Sequence, residues 1–430
     1  MLLRSLLPLA GLCAKIATAD HQVFAHYIIG LTNGQTRDEW QLDISQAKAS
    51  GIDGFALNVG SQDSYNDAQL QLAYDVASSN GFSMFLSFDM AASQWSADQI
   101  SSYINTYKGF GSQLKVGGLP VVSTFEGPSQ SDIWPGVRSA TGGIFFIPDW
   151  ASLGAQGVGD KSSLIDGAFN WGAWPDPNQS TMSTGNDVAY KSVLNGKPYM
   201  MGVSPYFYTG MMLTRYAADL PMYNKNWYSS SDSLWFDRWK QALDINPEYI
   251  EIITWNDYGE SSYINAPISH QIVSGAEGYV NGFDHTAFRF VLPYFISAYK
   301  AGNADVTLPS EGALAWYRTT PATVCGDGGT VWGQGGSASA AGGTKDVVNI
   351  IALTNAPTDI NIKIGSSDGG QSVSATSTVG KASFYQVPIN GRTGAVTVTV
   401  NGKSTTGPVE ITNSCPSSGH VNFNSASFQV

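Results

Sequence analysis

Charge is scarce in this sequence. Only 13% of its residues are charged, and the basic sign is the scarcer one, with 22 Lys and Arg against 34 Asp and Glu and a formal net charge of -12. Such a surface repels phosphate backbones and anionic headgroups, which excludes nucleic acid and membrane surfaces as partners. Long apolar runs are missing too: none reaches the roughly 20 residues that a membrane-crossing helix needs. Histidine is rare, and His21, His26, His270, His285 and His420 show no metal-ligand spacing. No metal is therefore expected. Cysteine occurs three times. Cys13 falls in an N-terminal stretch with a basic start, a short apolar run and Ala17-Thr18-Ala19, the pattern of a secretory signal peptide over 1–19. That leaves Cys325 and Cys415, an even number in an oxidising compartment. They are predicted to form a disulfide, worth about 4 kcal/mol at most by loop-closure entropy. A secreted, extracellular or wall-associated monomer is expected.

Aromatic residues are plentiful at 12%, with 12 Trp and 20 Tyr. Large cores use such residues, and so do proteins that stack rings on sugar faces. From 23 to about 256, short apolar runs alternate with amphipathic stretches. The runs cover 23–29, 54–59, 82–88, 119–125, 143–147, 164–171, 199–205 and 249–255. They resemble strands buried on both faces. Between them, 36–50 opens with the capping-box spacing Thr36-Arg37-Asp38-Glu39, and 66–79 and 96–108 follow the same helical pattern. Eight such alternations predict an α/β fold, a (β/α)8 TIM barrel over 20–305. An open doubly wound sheet is the other reading, but no Gly-rich phosphate loop follows the first strand. Residues 306–430 turn to Gly, Ser, Thr and Val with two-residue alternation and an Asn401-Gly402 turn. They predict an antiparallel β-sandwich, with 326–343 as a Gly/Ser-rich loop inside it.

Polar residues cluster at the C-terminal ends of these runs, where barrel enzymes build their sites. They include His26, Tyr27, Asn58, Asp89, Glu126, Asp149, Asn170 and Asn256. The sharpest local signal is Trp255-Asn256-Asp257-Tyr258-Gly259-Glu260. Glycoside hydrolysis needs two carboxyl groups at the scissile bond. In a regular strand, positions three apart face opposite ways, so Gly259 is expected to break the strand and turn Glu260 back toward Asp257.

The segment Trp-Asn-Asp-Tyr-Gly-Glu-Ser-Ser-Tyr-Ile from Trp255 to Ile264 resembles the signature of the fungal α-1,3-glucanases, or mutanases, of glycoside hydrolase family seventy-one. Val23-Phe24-Ala25-His26-Tyr27, Asp53-Gly54-Phe55-Ala56-Leu57-Asn58, Ser87-Phe88-Asp89-Met90, Phe125-Glu126-Gly127 and Ser204-Pro205-Tyr206 are similar to that family in the same order. The resemblance spans about 22–300 and continues more loosely beyond. It implies a barrel with a β domain, no cofactor, and hydrolysis of α-1,3-linked glucose with inversion. It places the acid pair on Asp257 and Glu260, with Glu260 as acid and Asp257 as base. Ser262 stands where many members have His, which implies an altered subsite. Given the family likeness, His26, Tyr27, Asn58, Asp89, Glu126 and Asn256 are candidate sugar ligands, and Trp171, Trp174, Tyr206 and Trp227 candidate stacking platforms. Asn178 begins a glycosylation sequon. Two other functions stay open: a related barrel glycosidase acting on another α-glycan such as α-mannan, and an inactive glucan-binding wall protein.

Overall fold

The structure is a computed structural model that describes residues 21–92, 94–214, 223–366 and 371–430. The expected signal peptide, 1–19, lies outside the described residues. Eight parallel strands form the first half: β1 (Gln22–Ile28), β2 (Gly54–Val59), β3 (Ser83–Asp89), β4 (Leu119–Phe125), β5 (Phe145–Phe146), β6 (Ala168–Asn170), β7 (Tyr199–Val203) and β8 (Tyr249–Ile252). Each pairs with its sequence neighbour from β1 to β5 and from β6 to β8, and β8 returns to β1. Asp149, just past β5, bridges Phe125 and Phe169 and so closes the ring between β4 and β6. The fifth and sixth strands are shorter than the sequence suggests, because these bridges replace a full ladder.

The intervening helices start where capping chemistry says they should. Thr36 accepts the Glu39 amide while the Glu39 carboxylate accepts the Thr36 amide, and the helix Arg37–Ala49 then buries Trp40, Ile44 and Ala47. Ser96 and Gln99 do the same for Ala97–Tyr107. Strand alternation sorts the barrel into two layers. Phe24, Phe85, Met200 and Tyr249 fill its interior, whereas Val23, Ala25 and Tyr27 pack outward against the helices.

After the helix Leu292–Ala301 come two four-stranded antiparallel sheets. They enclose a core of Ala313, Ala315, Ile350, Ile360, Ile362, Val396 and Val398. In the first sheet, the strands Gly312–Tyr317 and Val347–Leu353 are buried along their whole length. Their second face, with Leu314, Trp316, Ile351 and Leu353, joins the core of the barrel's helical layer. Phe384 stacks on Phe236 at 5.4 Å and on Trp316 at 6.0 Å, and Trp316 meets Phe288 at 5.6 Å. Cys325 and Cys415 form a disulfide, with Cα atoms 5.6 Å apart.

Two features depart from the sequence reading. Between β7 and the helix Leu234–Ile245 lies a hairpin, Tyr208–Thr214 with Tyr223–Tyr228. The loop 326–343 is not contained within the sandwich. It contributes the strand Val331–Trp332, which pairs parallel with Trp227 and Tyr228 of that hairpin. Its indole explains the detour, since Trp332 Nε1 donates to Ser230 Oγ at 2.9 Å.

Candidate active site

A cleft of about 700 Å³ opens at the C-terminal end of the barrel strands. It is lined by His26, Asn58, Asp89, Glu126, Asn170, Trp171, Trp174, Trp227, Asp257 and Glu260, ten residues singled out from the sequence. The carboxyl pair comes from one turn. The strand β8 ends at Ile252, before the point expected, and Tyr258–Glu260 forms a single 3-10 turn. In that geometry positions three apart eclipse, which brings the two acids together. Asp257 caps the turn by accepting the Glu260 amide at 3.1 Å. Gly259 is needed for close approach rather than for an unusual backbone angle: a Cβ there would stand 2.9 Å from Val273 Cγ2.

The two carboxyls lie in hydrogen-bonding contact, and Lys225 Nζ stands 2.7 Å from Glu260 Oε1. Burial and the facing Glu260 carboxylate push Asp257 up to about 8, against the pull of the Lys225 ammonium. Two facing carboxyls titrate as a pair that keeps one proton into the neutral range, which supplies one acid and one base.

A second buried pair lies beneath. His26 Nδ1 is 2.6 Å from Glu251 Oε1, and each side chain is about 1% exposed. Glu251 is raised by burial and drawn back by His26. The other imidazole nitrogen, Nε2, is buried without a partner among the described residues, on a ring that lines the cleft. Burial raises Asp89, whose Oδ1 accepts the Ala91 and Ala92 amides. Glu126 accepts the Ser152 amide at 2.9 Å and its hydroxyl at 2.5 Å. Burial, reinforced by the Glu126 carboxylate, pushes Asp149 well above the carboxylate range. Asp149 Oδ1 accepts the Ala151 and Trp171 amides, which fixes the loop that carries Trp171.

The aromatic wall is continuous. Trp171 meets His26 and Phe125 edge-on at 4.8 Å each, Trp174 meets Phe207 at 4.9 Å, and Phe207 stacks on Trp227 at 5.4 Å. Trp174 Nε1 donates to the Tyr206 carbonyl at 3.1 Å.

Three expected sugar contacts are placed elsewhere. Tyr27 follows His26 on β1, so alternation turns it outward; it is buried and donates to Asp43 at 2.7 Å. Tyr206 is buried with its hydroxyl on the Phe423 carbonyl at 2.7 Å, a tie between barrel and C-terminal half. Asn256 spends its amide on the backbone of Ile28, accepting at 2.8 Å and donating at 3.1 Å, which staples the ends of β1 and β8. Ser262 is buried behind the turn, 3.2 Å from Thr254 Oγ1, which in turn accepts the Asp257 amide. It acts on the backbone of the acid pair and lines no part of the cleft. Asn178 is partly exposed at the rim, with Oδ1 accepting the Ala338 amide at 3.2 Å.

Lys225, Phe207 and Gln334 line the cleft without having been anticipated. They arrive on the hairpin, on the residue just before it and on loop 326–343, which no strand-end pattern marks.

The profile of Glycosyl hydrolase family 71 matches residues 19–430. The chain is 39% identical over 323 residues to glucan endo-1,3-alpha-glucosidase agn1 of Schizosaccharomyces pombe, which covers 71% of this chain and 72% of that one. It is 35% identical over 321 residues to mutanase Pc12g07500 of Penicillium rubens, covering 73% and 68%. The ascus wall endo-1,3-alpha-glucanase of S. pombe is 33% identical over 330 residues, covering 71% and 73%.

Proposed function

We propose, from the premise that this chain belongs to glycosyl hydrolase family 71, that it is a secreted enzyme hydrolysing the α-1,3-glucosidic bonds of fungal wall glucan. The observation that carries the reading is the Asp257–Glu260 pair, in contact on one turn at the floor of a cleft walled by Trp171, Trp174 and Trp227. In this reading Glu260 protonates the leaving oxygen and Asp257 activates water, with inversion, as the family likeness implies. Inverting pairs stand about 6.5–9.5 Å apart. Two acids on one turn lie nearer the roughly 5–5.5 Å of retaining pairs, so inversion rests on the family likeness.

One observation favours the opposite assignment. Burial raises Asp257, while an ammonium faces Glu260. On that reading Asp257 is the acid and Glu260 the base. Both readings require one proton on the pair. The kcat/KM profile should therefore fall on its alkaline side with a midpoint near the value of about 8 reached by Asp257. A profile flat to pH 10 would count against the shared proton.

The reading includes removal of 1–19, a catalytic unit over 20–305, a β-sandwich unit over 306–430 and a glycan on Asn178. It is tested with insoluble α-1,3-glucan, starch, dextran, β-1,3-glucan and α-mannan. Reducing ends should appear with the first alone. Release from α-mannan instead would point to the related glycosidase, and binding without release to an inactive wall protein.

A further inference from the structure

We propose that the cleft continues into an additional subsite for an uncharged glucosyl unit, built jointly by the barrel hairpin and loop 326–343. This rests on the glucan reading above. A second cavity, of about 340 Å³, is lined by Asn226, Gly329, Val331 and Gly335 together with Lys225, Trp227 and Gln334. The last three also line the main cleft. Lys225 and Trp227 are two apart on one strand and so share a face, which carries the lining from one cavity to the next.

The chemistry suits a neutral sugar. Trp227 supplies an indole face, backed by Phe207 at 5.4 Å with the rings only 10° from parallel. Gln334 is exposed and brings an amide with both donor and acceptor. The charge on Lys225 is matched by Glu260 at 2.7 Å, and the remaining lining is uncharged, which disfavours an anion.

The loop is also held in place before any ligand arrives. Thr330 Oγ1 donates to Asn226 Oδ1 at 2.8 Å, and Asn226 Nδ2 donates to the Gly328 carbonyl at 3.0 Å. The Gly333 amide donates to the Tyr228 carbonyl at 2.8 Å, and the Asn178 amide donates to the Trp332 carbonyl at 3.1 Å. The Cys325–Cys415 disulfide fixes one end. A pinned wall binds without an ordering cost. The C-terminal half thereby takes part in substrate selection: chains long enough to span both cavities are held better than short ones.

Gly335 provides the test. Its φ is +77° and nothing lies within 4 Å of a Cβ built there, so Gly335→Asn adds a side chain to the subsite at a backbone angle that Asn tolerates. Gly329→Asn, at φ +76° with its nearest atom at 4.0 Å, is a second variant of the same kind. Hydrolysis of a ladder of α-1,3-gluco-oligosaccharides is followed by kcat and KM. On the longest chains both variants should lose about tenfold in kcat/KM through KM, the size of one lost sugar contact. The shortest chains that are cleaved should be unaffected. Val331→Ala, which trims the lining of the second cavity and not of the main cleft, should show the same length dependence should either glycine variant fold poorly. Equal losses at every length, or none, would overturn the subsite. A wild-type protein that cleaves all lengths with one kcat/KM would defeat the subsite alone. One that cleaves no α-1,3 chain would defeat the glucanase reading as well.

Discussion

Asp257→Asn and Glu260→Gln should each lower kcat on α-1,3-glucan by about 10²–10⁴-fold, the worth of one general acid or base. Both substitutions keep shape and remove the ability to exchange a proton. The turn should survive them, because its cap needs only an oxygen at position 257 to accept the Glu260 amide. The double variant should be scarcely worse than either single one, since the two groups act as a unit. A substrate with a very good leaving group needs no acid. It should rescue Glu260→Gln but not Asp257→Asn if Glu260 donates the proton, and the reverse pattern would reassign the acid to Asp257. NMR of the first-formed sugar should show the β-anomer, and a first-formed α-anomer would exclude inversion. Near-wild-type turnover in either variant would remove that residue from the chemistry.

The largest loss of stability is expected at a site remote from the acids. Arg238 and Asp187 form an ion pair in which both side chains are 0% exposed. The guanidinium donates to Asp187 Oδ2 at 2.7 Å and Oδ1 at 2.8 Å, to the Gly202 and Gly172 carbonyls at 3.0 and 3.2 Å, and to Gln241 at 3.0 Å. All five of its N–H groups are used. Asp187 also accepts the Tyr199 hydroxyl at 2.6 Å. Asp187→Ala leaves a buried, uncompensated guanidinium, a defect that costs about 3–5 kcal/mol. Denaturant titration should show that loss as a lower midpoint with an unchanged slope. Replacing both partners with apolar residues should cost far less, because neither charge then has to be desolvated. Gly172 follows Trp171, so the single variant should also raise KM by loosening the loop that bears the stacking rings. A midpoint within experimental error of the wild type would show that the pair adds nothing.

These features were unequally visible in the sequence. The acid pair was legible because its signal is local: two carboxyls three apart, astride a glycine, after an apolar run. The barrel was legible because eight apolar runs and capping boxes repeat. What strand-end position could not convey was direction. His26 and Tyr27 are adjacent, yet one lines the cleft and the other faces Asp43, because successive side chains on a strand alternate. Asn256 looked like a sugar ligand for the same reason and instead holds the backbone of Ile28. Tyr206 stands past the end of β7, where the chain turns toward Phe423. Lys225 and Gln334 reach the site through pairings across about a hundred residues, such as Trp227 with Val331. No local pattern encodes a contact of that range.

The sheet that carries Gly312–Tyr317 and Val347–Leu353 is sandwiched between its partner sheet and the barrel's helices. Seen from the ribosome, this reverses the order in which the enzyme is finished. Phe236, Phe288 and Phe295 leave the exit tunnel before Trp316, and long before Phe384, which with it covers that layer, and Ala426–Gln429, which completes the sheet beside Gly312–Tyr317. During synthesis the barrel therefore carries an apolar flank with nothing to bury it, and that flank is a surface for chaperones to guard. The stretch beyond 305 reads as a separate module in composition, yet in the nascent chain it is the missing wall of the catalytic one.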